Sequence, residues 1–195
     1  MREADNIREV EQAGVDMIGF IFYPKSPRYV EEVPEYLPRR AKRVGVFVNE
    51  GIESILRIVS CFGLNDVQLH GEESTEHCRL LRQTGVSVIK AFSISQEEDL
   101  QAIRRYEGLC DSYLFDTKCD ERGGSGKSFD WSMLNEYKGQ TPFLLSGGIS
   151  VESIEALKEC KHPRLSGIDI NSRFEVSPGM KDVKKIKSFL NRLAH

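Results

Sequence analysis

Short apolar runs alternate along the chain with amphipathic segments. The runs have the length of strands and little polar alternation, which is typical of strands buried on both faces. We expect seven strands, at residues 17–22, 44–48, 67–70, 86–92, 113–116, 143–145 and 165–170. Apolar residues at helical spacing predict helices at 2–13, 30–39, 52–62, 73–84, 96–107, 131–137 and 150–160, and a last helix that begins near Val183.

Strands and helices that alternate at this pitch predict βαβ units and a parallel sheet. The two candidate architectures are an open, doubly wound α/β sheet and a closed (β/α)₈ TIM barrel, and the even spacing with polar residues at the strand ends favours the barrel. A barrel of this kind needs about eight strands, and the single domain over 1–195 supplies seven. We therefore expect strand 1 to be missing before Met1, with an open seam that promotes self-association.

Composition narrows the function class. The net charge of −3 and a pI near 5.9 argue against a nucleic-acid partner. No apolar run approaches the ~20 residues of a membrane span, and the charged residues after Met1 do not resemble a signal peptide. The five cysteines are scattered, and the four histidines do not cluster with them at metal-ligand spacing. We expect a cytoplasmic protein with no metal, no cofactor and no membrane partner.

The last two predicted strands end in small or polar residues. Ser146-Gly147-Gly148 follows the first of them, and Asn171-Ser172 follows the second. Such ends expose backbone N–H groups, and a following helix start adds its positive dipole end. In TIM barrels the phosphate commonly binds in the loops after strands 7 and 8. The pattern predicts a phosphate site at Gly147, Gly148, Asn171 and Ser172, against the alternative of two ordinary strand-to-helix turns.

A glycine-rich segment, GGSGKS at 123–128, resembles a nucleotide P-loop at first sight. That motif needs a glycine where this chain has Glu121, and it must follow a strand rather than a long polar loop. We reject the P-loop. A mobile lid over the substrate phosphate, with Gly124 and Gly126 contacting it, fits the segment better.

Four side chains are candidates for substrate chemistry. Asp116 ends an apolar run, so it could be a desolvated proton donor, or it could only begin a turn. Arg28 follows the rigid Pro27 and could pair with a carboxylate or be a solvated surface residue. Gln68 and His70 point the same way from their strand, either into a pocket or into a hydrogen-bonded core pair. The residues alone leave these alternatives open.

Seven motifs occur in a characteristic order. They are GFIFYPKSPRYV (19–30), VGVFVNE (44–50), VQLHGEE (67–73), LFDTK (114–118), GGSGKSFDW (123–131), LLSGGI (144–149) and GIDINSRFE (167–175). With them the chain resembles the phosphoribosylanthranilate isomerase family of tryptophan biosynthesis over essentially its whole length. The resemblance implies a TIM barrel that isomerises the small molecule N-(5-phosphoribosyl)anthranilate by an Amadori rearrangement, without cofactor or metal.

The resemblance also implies roles for individual residues. Asp116 would be the general acid that protonates the furanose ring oxygen, and Arg28 would hold the anthranilate carboxylate. The family base is a cysteine at the end of strand 1, and none of the five cysteines matches it: Cys61, Cys78, Cys110, Cys119 and Cys160. We therefore expect phosphate-ester binding with impaired turnover. Arg173 stands where the family has a small residue, and it changes the local backbone or adds a cation.

Two other functions stay open from the sequence. One is the histidine-pathway ribose-phosphate isomerase, which performs the same chemistry on a similar barrel. The sequence shows neither a half-barrel repeat nor a second phosphate loop near 50–70, and both absences count against this alternative. The other is a non-catalytic barrel that binds a phosphate ester.

Overall fold

The protein contains one parallel sheet of seven strands. The computed structural model describes residues 1–117 and 131–194. The strands are β1 (Met17–Ile21), β2 (Lys42–Phe47), β3 (Asp66–Leu69), β4 (Ser87–Ile94), β5 (Ser112–Thr117), β6 (Phe143–Ser146) and β7 (Leu165–Ile168). Their spatial order follows the sequence from β1 to β7. A doubly wound sheet reverses its order at a switch point, so this alternative was wrong, and the seven predicted strands are confirmed.

Helices follow most strands, as the pattern predicted. They are α1 (Ala4–Gln12), α2 (Ile52–Phe62), α3 (Thr75–Gln83), α4 (Glu97–Ala102), α5 (Ile154–Glu159) and α6 (Val183–Ala194). The predicted helix at 96–107 ends as a 3₁₀ helix (Ile103–Tyr106), and the one at 131–137 is entirely 3₁₀ (Trp131–Glu136). A hairpin of β8 (Glu175–Ser177) and β9 (Met180–Lys181) was not predicted.

The predicted helix at 30–39 was wrong, because this segment forms bends and irregular backbone. Pro34 and Pro38 lack the N–H groups that a helix interior requires. The segment is held from outside instead, by the carboxylate of Glu11 on α1. It accepts hydrogen bonds of 2.6–3.0 Å from three consecutive amides, those of Arg39, Arg40 and Ala41.

The two faces of the sheet differ in character. The outer face packs large aromatic side chains against the helices, with complete burial of Phe20, Phe47, Tyr113, Phe115 and Phe143. The inner face carries a smaller apolar cluster of Val44, Ile89, Ala91 and Leu114, with Leu144 beside it. All seven strands line one cavity, so the sheet curls around it into a TIM-barrel-like α/β fold. Among the described strands, β1 and β7 are the two edges of this curled sheet.

In the part of the chain that the structure describes, no helix combines the length and the apolar character needed to cross a bilayer.

Candidate functional site

A cavity of about 810 Å³ opens at the carboxyl ends of the strands and extends to the seam between β1 and β7. Eight predicted site residues line it, namely Arg28, Gln68, His70, Asp116, Gly147, Gly148, Asn171 and Ser172. Gly124 and Gly126 lie outside the described residues. The structure thus brings together candidates that are up to 144 residues apart in sequence, from Arg28 to Ser172.

The backbone after β6 has the form expected of an anion cradle. Gly147 and Gly148 have φ of 95° and 62°, a region that side chains disfavour. A Cβ on Gly147 would lie 2.0 Å from the Thr117 carbonyl oxygen, so only glycine fits there. Within residues 1–117 and 131–194 the two glycine amides donate to no acceptor, which leaves them available for an anion. A 3₁₀ turn (Val151–Ser153) follows, and α5 begins only at Ile154.

The ends of β5, β6 and β7 are tied together by side chains. The Thr117 hydroxyl donates to the Ser146 carbonyl oxygen over 2.8 Å. The Ser146 hydroxyl in turn donates over 2.9 Å to Oδ2 of Asp169. Because Ser146 is also the register partner of Asp116, this network fixes Asp116 directly beside the glycine turn.

His70 and Gln68 form a pair that faces Asp116. The Gln68 amide donates over 2.8 Å to Nδ1 of His70, so the ring hydrogen is on Nε2. This Nε2 lies 3.9 Å from Oδ2 of Asp116, and the two side chains are 37% and 32% exposed. Both interpretations from the sequence therefore hold at once: the two residues are hydrogen-bonded to each other and also line the cavity. The Asp116 carboxyl is less enclosed than its position after an apolar run suggested.

Asp169 is a site residue that the sequence analysis missed. It follows β7, is partly exposed to the cavity and accepts the Ser146 hydrogen bond. Desolvation by the surrounding protein raises the pKa of Asp169 and favours its protonated form. The signal was present in the sequence, because Gly167 and Asp169 alternate with Ile168 as Gln68 and His70 do with Leu69.

Arg28 is part of an ion-pair cluster rather than a solvated surface residue. Its Nε and Nη2 atoms bind the Glu175 carboxylate at 2.6–3.0 Å. Lys181 donates to Glu175 over 3.0 Å and to the Asn171 side chain over 2.7 Å. Among the described residues, Nη1 of Arg28 has no acceptor, so one edge of the guanidinium remains available to a ligand. The Glu175 and Lys181 contacts were not predicted, because nothing local in the sequence indicates them.

The Glu175 cluster makes the free energy of unfolding depend on pH in the acidic range. Burial raises the pKa of Glu175, but the hydrogen bonds from Arg28 and Lys181 outweigh it and lower this pKa from 4.5 to about 2. The carboxylate therefore stabilises the fold fully above about pH 4.5, and the contribution is lost as the pH falls toward about 2. We expect Glu175→Gln to lower the free energy of unfolding at neutral pH and to flatten its dependence on pH in this range. Urea unfolding at a series of pH values measures both.

Glu9→Gln provides the matched control, since Glu9 is exposed on α1 and the charge change is the same. The control should keep the pH dependence of the wild type. An unchanged pH dependence in Glu175→Gln would contradict the prediction.

A metal site or a cysteine nucleophile would add further chemistry to the cavity. Within the described residues, no group of three or more His, Cys, Asp or Glu is arranged to hold a metal ion. Cys61 is exposed, Cys78 and Cys110 are buried, and Cys160 is partly exposed, and none of these four lines the cavity. Cys119 lies outside the described residues.

Comparison with known proteins gives one consistent family. A sequence model described as N-(5'-phosphoribosyl)anthranilate (PRA) isomerase matches residues 1–192. The N-(5'-phosphoribosyl)anthranilate isomerase of Phocaeicola vulgatus is 54% identical over 193 residues, which are 99% of this chain and 94% of that protein. The crystal structure of phosphoribosyl anthranilate isomerase from Thermotoga maritima superimposes with a TM-score of 0.84 at 38% identity, covering 100% of this chain and 95% of that one.

A second solved structure bears on the ligand. It is phosphoribosyl anthranilate isomerase in complex with reduced 1-(o-carboxyphenylamino)-1-deoxyribulose 5-phosphate. It matches with a TM-score of 0.81 at 33% identity and covers 100% of this chain and 98% of that one.

Proposed function

The chain belongs to the N-(5'-phosphoribosyl)anthranilate isomerase family, and on this premise we propose that the cavity at the strand ends is its active site. The reaction is the isomerisation of N-(5'-phosphoribosyl)anthranilate in tryptophan biosynthesis. One observation carries the assignment: an anion cradle at Gly147, a carboxyl group at Asp116 and a guanidinium at Arg28 line the same cavity. The substrate carries a phosphate for the anion cradle, a ring oxygen for Asp116 and a carboxylate for Arg28. Family membership also separates this protein from the histidine-pathway alternative.

The reaction needs one proton donated and one removed. We assign Asp116 as the general acid, which protonates the ring oxygen as the bond from C1 to that oxygen breaks. The lone pair of the anilino nitrogen then forms a double bond to C1. A base takes the proton from C2, the freed electron pair forms a C1–C2 double bond, and the C1–N π pair returns to nitrogen. The resulting enolamine gains a proton at C1 and loses the proton of its C2 hydroxyl, which gives the ketose. Nε2 of His70 lies 3.9 Å from Oδ2 of Asp116, and its N–H dipole stabilises the Asp116 carboxylate after the proton has been given up.

The remaining residues bind and orient the substrate. The free edge of Arg28 holds the anthranilate carboxylate, while Glu175 keeps the guanidinium in place. Asp169 presents a carboxyl group whose protonated form can donate a hydrogen bond to the substrate. Gln68 orients His70. Asn171 is held by Lys181, so the backbone around Ser172 is fixed on the far side of the phosphate site.

The seam between β1 and β7 is the site we propose for strand 1 of a complete TIM barrel, and for the general-base cysteine. Three observations support it. Among the described strands, β1 and β7 each pair with one strand, apart from an isolated bridge between Ile21 and Tyr29, and the cavity reaches both of them. The Met1 nitrogen donates over 2.7 Å to the Gly19 carbonyl oxygen. The edge of β1 thus still accepts hydrogen bonds from outside the sheet. On this proposal the 195-residue chain binds phosphate esters, turns over slowly and self-associates through the seam.

A cytoplasmic location is also proposed. The described cysteines Cys61, Cys78, Cys110 and Cys160 are all free thiols, which suits a reducing compartment. The pathway of the substrate points to the same compartment.

Replacing Gly147 by alanine tests the phosphate site. We expect Gly147→Ala to weaken binding of reduced 1-(o-carboxyphenylamino)-1-deoxyribulose 5-phosphate at least about tenfold, because the new methyl group displaces the turn from Thr117. Isothermal calorimetry measures the affinity. The same analogue without its phosphate should bind the wild-type protein and the variant equally weakly.

Gly85→Ala is the matched control. Gly85 also has a positive φ, of 88°, but no atom lies within 4 Å of the Cβ that alanine would add. Both variants lose about 1–2 kcal/mol through backbone strain, Gly147→Ala loses more through the clash with Thr117, and only Gly147→Ala should lose affinity. Phosphorylated and dephosphorylated analogues of equal affinity in the wild type would refute the phosphate assignment.

A further inference from the structure

A buried ion pair lies on the helix-facing side of the sheet, behind the active site. Lys90 on β4 is 2% exposed and Glu73, just before α3, is 4% exposed. Their Nζ and Oε2 atoms are 3.2 Å apart. Ile89 and Ala91 face the barrel interior, so Lys90 points the opposite way, toward the helices. Two charges removed from water are costly unless every polar atom finds a partner, and the proposed chemistry uses neither of them.

The partners of Lys90 explain its position. Its Nζ donates to the carbonyl oxygens of Leu69, over 3.2 Å, and of Gly71, over 2.8 Å. These are the two carbonyl groups that flank His70 in the chain. A third bond, of 2.9 Å, reaches the carbonyl of Ala91 on the same strand as Lys90. The ammonium group therefore fixes the backbone on both sides of His70 to β4.

Glu73 fixes the same backbone through its donors. Its carboxylate accepts from the Gly71 amide over 3.0 and 3.1 Å and from the Asn49 amide over 2.9 Å. Asn49 has φ of 53°, and its side chain accepts from the Glu72 amide over 2.7 Å. The loops after β2 and β3 are thereby locked together. A Cβ on Gly71 would lie 2.4 Å from Oδ1 of Asn49, which shows how closely they approach.

The side chain of His70 leaves this fixed backbone on the opposite face of the sheet. Its amide donates over 2.8 Å to the Phe47 carbonyl oxygen and continues the ladder to β2. Its ring reaches the cavity, where Gln68 sets its orientation by a hydrogen bond and Asp116 lies 3.9 Å from Nε2. Among the described residues, His70 is the only one whose two neighbouring carbonyl groups both accept hydrogen bonds from a buried lysine. A small backbone shift there moves Nε2 relative to Asp116.

We propose that the Lys90–Glu73 pair is a positioning device for His70, which holds the hydrogen on Nε2 toward Asp116 and the ligand. The inference rests on the proposed function in one respect, namely that His70 faces the substrate. Neither Lys90 nor Glu73 touches the cavity, so both act only through the backbone that carries His70.

The test compares Lys90→Met, the double variant Lys90→Met/Glu73→Gln, and Val88→Ala. Val88 is a completely buried, helix-facing residue on the same strand, and its loss destabilises without touching the loop. Long-range ¹H–¹⁵N NMR of the free protein reports which ring nitrogen of His70 carries the hydrogen, with His70→Gln to assign the signal. Calorimetry reports the affinity for reduced 1-(o-carboxyphenylamino)-1-deoxyribulose 5-phosphate.

We expect Lys90→Met to give a mixture of His70 tautomers and about tenfold weaker analogue binding. The double variant removes both charges, so it should recover stability relative to Lys90→Met while the tautomer mixture and the weak binding persist. Val88→Ala should keep the Nε2–H tautomer and the wild-type affinity. If Lys90→Met does not fold, the double variant gives the same comparison.

A double variant with the wild-type tautomer of His70 and wild-type affinity would overturn the proposal, because the pair would then serve stability alone. Loss of the Nε2–H tautomer of His70 in Val88→Ala would also overturn the proposal. If the wild-type protein fails to bind the analogue, the proposed function fails instead. The NMR comparison in the free protein still decides whether the pair positions His70.

Discussion

Placing a β-strand that ends in Cys-Gly ahead of Met1 is expected to raise kcat/KM for N-(5'-phosphoribosyl)anthranilate by a factor of about 10²–10⁴. This factor is the usual contribution of a positioned acid or base. None of the four described cysteines lines the cavity, whereas Asp116, Gly147 and Arg28, the proposed acid, phosphate cradle and carboxylate clamp, all do. The added strand would pair with β1 and β7 and bring a thiolate to the mouth opposite Asp116.

The experiment needs two extensions that differ in one atom. A strand ending in Cys-Gly and the same strand ending in Ser-Gly should both close the seam, raise the melting temperature and reduce self-association in sedimentation. Only the cysteine form should gain turnover, because a serine hydroxyl is far too weak a base. Steady-state kinetics of both forms and of the 195-residue chain give the comparison.

Two results would contradict this proposal. Equal kcat/KM for the 195-residue chain and the cysteine extension would mean that a base is already present. Equal gains from the cysteine and serine extensions would mean that the strand acts by closing the barrel rather than by supplying a base. Lack of turnover in every form, with analogue binding intact, would favour the non-catalytic alternative.

Asp116→Asn in the cysteine-extended protein is expected to lower kcat by a factor of about 10²–10⁴. Asparagine has nearly the same shape but cannot donate a proton to the ring oxygen. Binding of the reduced product analogue should change little, because Gly147 and Arg28 provide the main contacts in the proposed complex. Stopped-assay kinetics and calorimetry on the same preparations separate the two effects.

Asp169→Asn is the matched control at the neighbouring strand end. Asp169 is proposed to donate a hydrogen bond, and an asparagine amide can still donate one, so kcat should fall by no more than about tenfold. A larger loss in Asp169→Asn than in Asp116→Asn would transfer the role of general acid to Asp169. The raised pKa of Asp169 makes it the main alternative candidate for the general acid.

Much of the fold could be predicted because burial on both faces leaves a local signature. A parallel strand covered by helices must be apolar along its length, so all seven strands were visible as short apolar runs. Helices were predicted less well where the chain must leave the regular pattern. At 30–39 the decisive partner was the carboxylate of Glu11, which no property of that segment reveals.

Part of the site followed from position along the chain. In a parallel sheet all carboxyl ends meet at one edge, so any polar residue after a strand is a candidate for the mouth. This logic predicts that Asp116 and Gly147 line one cavity, as the structure shows. It should also have found Asp169, which follows its strand in the same way.

The sequence by itself determined the βαβ order, the glycine turn after β6 and the family of the protein, because each can be read from short stretches of neighbouring residues and from their order along the chain. Only the tertiary structure decided which charges pair. Arg28 meets Glu175 across 147 positions, and Lys90 holds the two carbonyl groups beside His70 from a neighbouring strand. The strength of an ion pair depends on distance and burial, and both arise only when the strands curl around a common cavity.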